Sequence, residues 1–197
     1  MAAGFTYNLV PEKEKEERYD VQSGIRRRGA YKLDTSNLTV GNYLPSFTPI
    51  EADLVAKTAV PVRNVKVVEA YNTGDNALTI KIEKNSLAYA GMFVGNGSHG
   101  ALVNSIDKSN DDYDILTINA AFGANLAIGK VLFESAAVGG TTAKHTANSA
   151  LYGRKKIESG IVLVALLQRA FEIEPDKLVL PFSDKDKANL PFFQFNE

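Results

Sequence analysis

Gly95, Gly97 and Gly100 stand in the stretch "VGNGSHGALV" with the spacing G-x-G-x-x-G. Glycines so spaced bind a dinucleotide when they lie between a strand and a helix, because the backbone then approaches the pyrophosphate and the helix N-terminus faces it. Here only "ALVNSI" separates Gly100 from "DKSNDD", whereas a crossover helix returning to a parallel strand needs at least about ten residues. The spacing therefore predicts a hairpin corner in which the glycines supply positive φ. "GANLAIGKV" fails as a phosphate loop on two counts. Five residues separate its glycines instead of four, and Val131 follows Lys130 where a hydroxyl is needed for magnesium.

The two histidines, His99 and His145, both lie in glycine-bearing polar loops. Ser98 adjoins His99, but a serine triad needs a nucleophile, an oriented imidazole and a buried acid brought together from separate elements. No local hydrolase signature surrounds them. "DKSNDDYD" offers oxygen ligands at Asp107, Asp111 and Asp112, yet Asp112 stands where an EF-hand loop needs glycine and Ile118 where it needs glutamate. The default reading is an Asx-rich turn, with a non-EF calcium site over residues 107–114 left open. With no cysteine, disulfides, thiol chemistry and thiolate zinc sites are excluded. The expectation is a non-enzyme with no cofactor and no resident metal.

The elements that position these residues are mainly strands. "ALTIKIEK" places Leu78, Ile80 and Ile82 on one face and Thr79, Lys81 and Glu83 on the other, and "YDILTIN" and "KLVLPF" repeat the alternation. Turn clusters at 72–76, 107–112 and 174–176 separate such runs, which predicts an antiparallel barrel or sandwich. One or two short helices accompany it. Thr48 and Glu51 form a capping box with Pro49 at the first helical position, so a short leading helix is expected before Pro61. A single capped turn is expected from Ser183, stopping near Pro191. The polar stretch at 137–149 is expected to be a mobile loop.

Residues 1–47 read differently. "PEKEKEERYD" and "GIRRRGAYK" carry charge and turns with few periodic apolar residues, so this zone is expected to be an extended arm that orders only against another surface. A short helix over Pro11–Arg18 fits the Glu14 and Arg18 spacing. The domain reading is an arm at 1–47, a β-rich domain at 48–182 and a C-terminal tail at 183–197. Net charge is −1, from 22 basic and 23 acidic side chains among 197 residues, so no global field favours nucleic acid or an anionic membrane. The longest apolar run, Ile161 to Leu167, is far short of the roughly twenty residues a spanning helix needs, and no signal peptide is visible. Synthesis in the cytoplasm is expected.

"KNSLAYAGMFVGNGSHG", "SIDKSNDDYDILTI" and "KVLFESAAVGGTT" carry a likeness: residues 48–191 resemble head fibre proteins of tailed phages and prophages of Bacteroides-type gut bacteria. The resemblance implies a virion structural protein on the capsid exterior, as a homotrimer, with the strand-rich layout similar to the β-tulip of head decoration proteins. It also implies the major capsid protein as partner, with a further head-fibre protein as a second candidate. The arm would then add a strand to the shell, with Arg26, Arg27, Arg28 and Tyr31 as candidate capsid-binding residues. Phe192, Phe193 and Phe195 are candidate subunit-interface residues. The alternative is a host-surface or glycan-binding module in which Tyr89, Phe93, Tyr113 and Tyr152 stack on sugars.

Overall fold

The computed structural model describes residues 19–196, which form a mainly β structure. Five strands come first: β1 (Asp20–Arg26), β2 (Tyr31–Leu33), β3 (Tyr43–Leu44), β4 (Pro49–Asp53) and β5 (Thr58–Pro61). Six follow: β6 (Asn64–Lys66), β7 (Thr79–Glu83), β8 (Phe93–Gly95), β9 (Gly100–Asp107), β10 (Tyr113–Ile118) and β11 (Val131–Ser135). The chain then adds β12 (Ser149–Leu151), β13 (Lys155–Lys156), β14 (Leu163–Val164), β15 (Leu166–Ile173), the helix α1 (Asp184–Ala188) and β16 (Phe193–Phe195). Strands from the first and last groups interleave in one eight-stranded sheet, ordered β1-β15-β12-β4-β5-β2-β14 with β16 also on β15. The middle six make a second sheet, ordered β6-β11-β8-β9-β10-β7, while β3 and β13 pair separately.

The six-stranded sheet curls because its two edges meet. Val67, just past β6, bridges to Ile82 on β7, and Val68 N donates to Lys81 O at 3.1 Å. The expected alternation holds: β10 turns Asp114, Leu116 and Ile118 inward and leaves Tyr113, Ile115 and Thr117 partly exposed. Ile80 and Ile82 of β7 pair with Leu116 and Asp114. Val65, Val94, Val103, Phe122, Leu126 and Leu132 complete the interior. Each such side chain contributes roughly 1.5–3 kcal/mol on burial. Two further clusters line the eight-stranded sheet, one around Tyr31, Leu33 and Ile50, the other around Phe47, Leu167 and Phe182.

The glycine stretch is a hairpin corner. Gly95 of β8 pairs with Gly100 of β9, Gly97 has φ +104°, and Asn96 Oδ1 accepts from the amides of Ser98 and His99 at 2.9 and 2.8 Å. Only Gly97 needs its φ. Gly95 and Gly100 are required by crowding, since a Cβ on them would lie 2.5 Å from Gly140 O and 2.6 Å from Gly140 Cα respectively. Gly140 has φ +69°, and a Cβ there would run into the His99 carbonyl. The 137–149 segment, expected to be mobile, is thus pinned against the corner. Gly97 N donates to Gly140 O at 2.9 Å, and His145 Nδ1 lies 2.5 Å from Glu51 Oε2.

The two sheets are joined at adjacent residues. Arg63 and Asn64 sit where the chain leaves β5 for β6, and both are buried. Arg63 lies 3.3 Å from Glu134 Oε2 on β11 and donates to Ser36 O at 2.5 Å. Glu134 Oε1 accepts from Tyr89 Oη at 2.7 Å and Lys144 Nζ at 2.8 Å. Burial pushes the Glu134 carboxyl up, but hydrogen bonds from Lys144 and Tyr89 and the Arg63 charge outweigh it and hold the group below its ordinary range. Asn64 Nδ2 donates to Asp186 Oδ2 at 2.7 Å. Asp186, itself buried, also accepts from Ala147 N at 2.7 Å and from the N and Oγ of Ser183 at 2.9 and 2.6 Å. The Ser183 N contact, with Asp186 N donating back to Ser183 Oγ at 3.3 Å, makes the capping box that starts α1, the capped turn that the sequence predicts here.

Two expectations need correction. Residues 48–58 are not a helix: Pro49–Asp53 and Thr58–Pro61 form a hairpin with Asp53 opposite Thr58. The Thr48 hydroxyl donates to Pro45 O at 2.7 Å, and Asp53 Oδ1 takes the amides of Val55 and Ala56 at 2.8 Å each, closing a turn where a helix would continue. An arm reaching to residue 47 is also not what the chain forms over residues 19–47. β1 and β2 lie in the large sheet, and Tyr31, Leu33, Leu44 and Phe47 are buried in its clusters. Residues 1–18, with the helix expected over Pro11–Arg18, lie outside the described residues. The flanks 20–61 and 149–195 share the large sheet and residues 64–135 form the curled one, a grouping that differs from the three successive zones.

Gly140→Ala is expected to lose about 2 kcal/mol or more through its left-handed backbone and blocked Cβ. Gly139→Ala, with nothing within 4 Å of the added carbon, should change stability by less than about 0.5 kcal/mol in the same urea titration. Glu134→Gln leaves Arg63 buried without its counter-charge and is expected to cost about 3 kcal/mol at neutral pH. Because the folded Glu134 titrates below its ordinary value of 4.5, its contribution is full above that value and is lost as pH falls through the lower folded one. Denaturation in that acid window should therefore depend less steeply on pH in Glu134→Gln than in the parent.

Candidate interaction surface

The basic run lies on and just after β1, and its members differ in freedom. Arg27 Nε donates to Ser149 Oγ at 2.8 Å and its guanidinium reaches Asn148 O at 3.1 Å, so it fastens β1 to the sheet. Arg26 stacks over the Tyr152 ring, 4.8 Å from its centroid. Arg28 is exposed and has no side-chain partner among the described residues. Tyr31 is 2 % exposed, with Lys57 Nζ 5.0 Å from its ring centroid and 3.5 Å from its hydroxyl. Of the four candidate docking residues, Arg28 has its charge available and Tyr31 is built into the core.

The phenylalanines also divide. Phe193 is buried, with its ring 6.1 Å from Phe47, and Phe195 packs 5.2 Å from Phe182. Both are core side chains of one chain, brought there by the parallel pairing of β16 with β15. Phe192 is 60 % exposed. Alternation along β16 puts Phe193 and Phe195 on one face with Gln194 on the other, whereas Phe192 sits in the turn that precedes the strand.

Apolar residues at the β1 end of the large sheet were not singled out by the sequence pattern, and Phe192 lies across β15 from them. Among the described residues β1 ends the large sheet and pairs with β15 alone, in a register that places Ile25 opposite Arg169 and Asp20 opposite Phe171. Ala170 N, beside Phe171, donates to Phe192 O at 3.2 Å. Val21, Ile25, Phe171 and Phe192 are all exposed. An edge strand that carries exposed apolar residues is a pairing site unless something covers it. The signal was present in "QRAFEI", where Phe171 falls on the polar phase of β15, but it is one residue and is easily taken for core.

The residues with chemical potential are not brought together. His99 is exposed and lies over Gly123, while His145 pairs with Glu51. Lys84, just past β7, supplies a cation to the acidic loop. Lys84 Nζ donates to Lys108 O at 2.8 Å and to Asn110 O, and lies 2.9 Å from Oδ1 of the fully buried Asp114. That last contact is off the axis a hydrogen bond needs, so it is an ion pair, and neither Asp114 oxygen accepts a hydrogen bond from a described residue. Among the described residues no group of three or more His, Cys, Asp or Glu could hold a metal ion, and no helix is long and apolar enough to cross a membrane. Tyr89 is committed to Glu134, Tyr113 lies under Lys81 and Tyr152 under Arg26, so the aromatics named for stacking are separately engaged; Phe93 is half-buried on β8.

The sequence matches the family model described as head fiber protein over residues 1–195, and the chain belongs to that family of phage head fibre proteins. It is a phage structural protein, a virion component that associates with the phage head. No curated protein and no solved structure matches it.

Lys84→Met is expected to destabilise the fold by about 3 kcal/mol, because it leaves Asp114 charged, buried and unpaired. Millimolar calcium should leave the melting temperature of the parent protein unchanged, since the Lys84 ammonium already occupies the carbonyl and carboxylate cage. A rise in melting temperature with calcium would show that the lysine yields the site.

Proposed function

We propose that this protein decorates the outside of the phage head as a homotrimer, docked on the major capsid protein through its N-terminal segment. It acts by adhesion without catalysing a reaction. The observation that supports the reading is the edge of β1, which no other described strand covers, with Val21, Ile25 and Phe171 exposed beside it and Arg28 just after it. A strand from the shell laid along that edge would gain main-chain hydrogen bonds, and the apolar side chains would supply area that a lone added strand lacks. Arg28 would pair with an acidic shell residue. Three copies docked together multiply a modest contact by effective concentration. A further head-fibre protein attached to the exposed end of the trimer completes the arrangement.

The sheet topology changes which truncation tests this. Removing residues 1–47 deletes β1, β2 and β3 together with buried Tyr31, Leu33, Leu44 and Phe47, and that protein is expected not to fold. Removing residues 1–18 should leave a folded protein that no longer adds to heads lacking it. Val21→Asp combined with Ile25→Asp, both at exposed positions on β1, should keep the melting temperature within a few degrees and reduce head occupancy at least tenfold by quantitative gel analysis of purified particles. Normal occupancy of both altered proteins, or a monomer by light scattering at particle-assembly concentrations, would overturn the docking and trimer readings respectively.

A further inference from the structure

We propose that the cleft between the β2–β3 connection and the β7–β8 connection is a binding site for a short oligosaccharide, a reading that does not depend on how the protein docks. The cleft holds about 500 Å³ and takes Asn37, Asn42 and Tyr43 from one wall, Asn85 and Ser86 from the other, and Lys108 from the β9–β10 turn. That size matches pockets that enclose small ligands.

Its polar groups are unused by the fold. Ser86 is 8 % exposed, and its hydroxyl has no hydrogen-bond partner. A buried hydroxyl without a partner is a net cost to folding and calls for a ligand or water to satisfy it. The side chains of Asn37, Asn42 and Asn85 have no hydrogen bond within the described residues. Asn64, Asn119, Asn148 and Asn189 show the contrast, each binding backbone or side-chain groups of the fold. Asn37 and Asn85 both have left-handed backbones, φ +57° and +65°, which fix where these two amides stand on the facing walls.

The set of groups selects the ligand. Amides that donate and accept and a hydroxyl suit a molecule with many hydroxyls, while the Tyr43 ring beside them is already engaged by Arg154, 4.2 Å from its centroid. No carboxylate lines the cleft, so a cationic ligand finds no counter-charge, and one ammonium falls short of a phosphate cradle. Lys108 at the margin favours a sugar with a carboxylate substituent. β2 lies near the opposite end of the large sheet from β1, so a glycan in the cleft and a partner on the β1 edge do not compete.

The full-length protein is to be screened on an array of bacterial capsular and mucin-type oligosaccharides, and positives measured by saturation-transfer NMR and calorimetry. We expect binding to one group, with acidic sugars preferred. The two halves of the array distinguish a bacterial from a mucosal source of the same chemistry. Ser86→Ala, Asn42→Ala and Asn85→Ala should each weaken that binding at least tenfold, with the melting temperature of Ser86→Ala unchanged or raised and head occupancy unaffected. Loss of occupancy with retained glycan binding would count against the docking reading alone. No saturation transfer from any array glycan at millimolar concentration, binding that survives all three substitutions, or a lone water on Ser86 that no sugar displaces, overturns the cleft proposal.

Discussion

The structure depends on what happens at Arg63 and Asn64. These two consecutive residues carry the chain from one sheet to the other, and each places a buried polar group against a buried carboxylate, Glu134 for Arg63 and Asp186 for Asn64. The two carboxylates are met in different ways. Glu134 is surrounded by cations and a phenol, whereas Asp186 is held wholly by neutral donors, among them the capping serine of α1. A buried carboxylate is tolerated only when its lone pairs are filled, so the acceptor geometry at each dictates where β11, the 144–147 segment and α1 must stand. The relation between the sheets is therefore fixed by directional bonds more than by apolar contact.

That division leaves the two halves with different surfaces. The curled sheet closes on its own interior, through the bridge from Val67 to Ile82, and presents alternating polar side chains outward. The large sheet remains open at β1 and keeps apolar side chains exposed there. Under the proposed docking the topology separates a part that faces solvent from a part that adheres. Sequence-adjacent arginines illustrate how finely this edge is drawn: Arg27 is absorbed into the sheet and Arg28 is left outside it.

Much of the curled sheet was legible in the residues. Period-two runs at Ile80–Ile82 and Leu116–Ile118 gave the strands, the short spacer after Gly100 gave the corner, and Ser183 gave the start of α1. What escaped shared one cause: long-range pairing. Thr48, Pro49 and Glu51 satisfy every local rule for a helix start, yet Ile50 is wanted between β12 and β5, and tertiary pairing overrides a local cap. Residues 20–33 look unable to fold because their partners are far along the chain, with Ser23 Oγ bonding an amide 148 residues away. The role of Gly140 was equally hidden, since nothing near it in sequence announces that its hydrogen stands against the backbone of His99.

The interleaving of the large sheet has a temporal consequence. Every strand pairing of the curled sheet lies within residues 64–135, so it can close while the ribosome is still at work on the later segments. Among the described residues β1 has no partner until β15 has been made, and β16 comes later still. The β1 edge is consequently among the last parts of the molecule to be finished, so under the proposed docking a chain cut short before β15 would offer a shell no ordered edge.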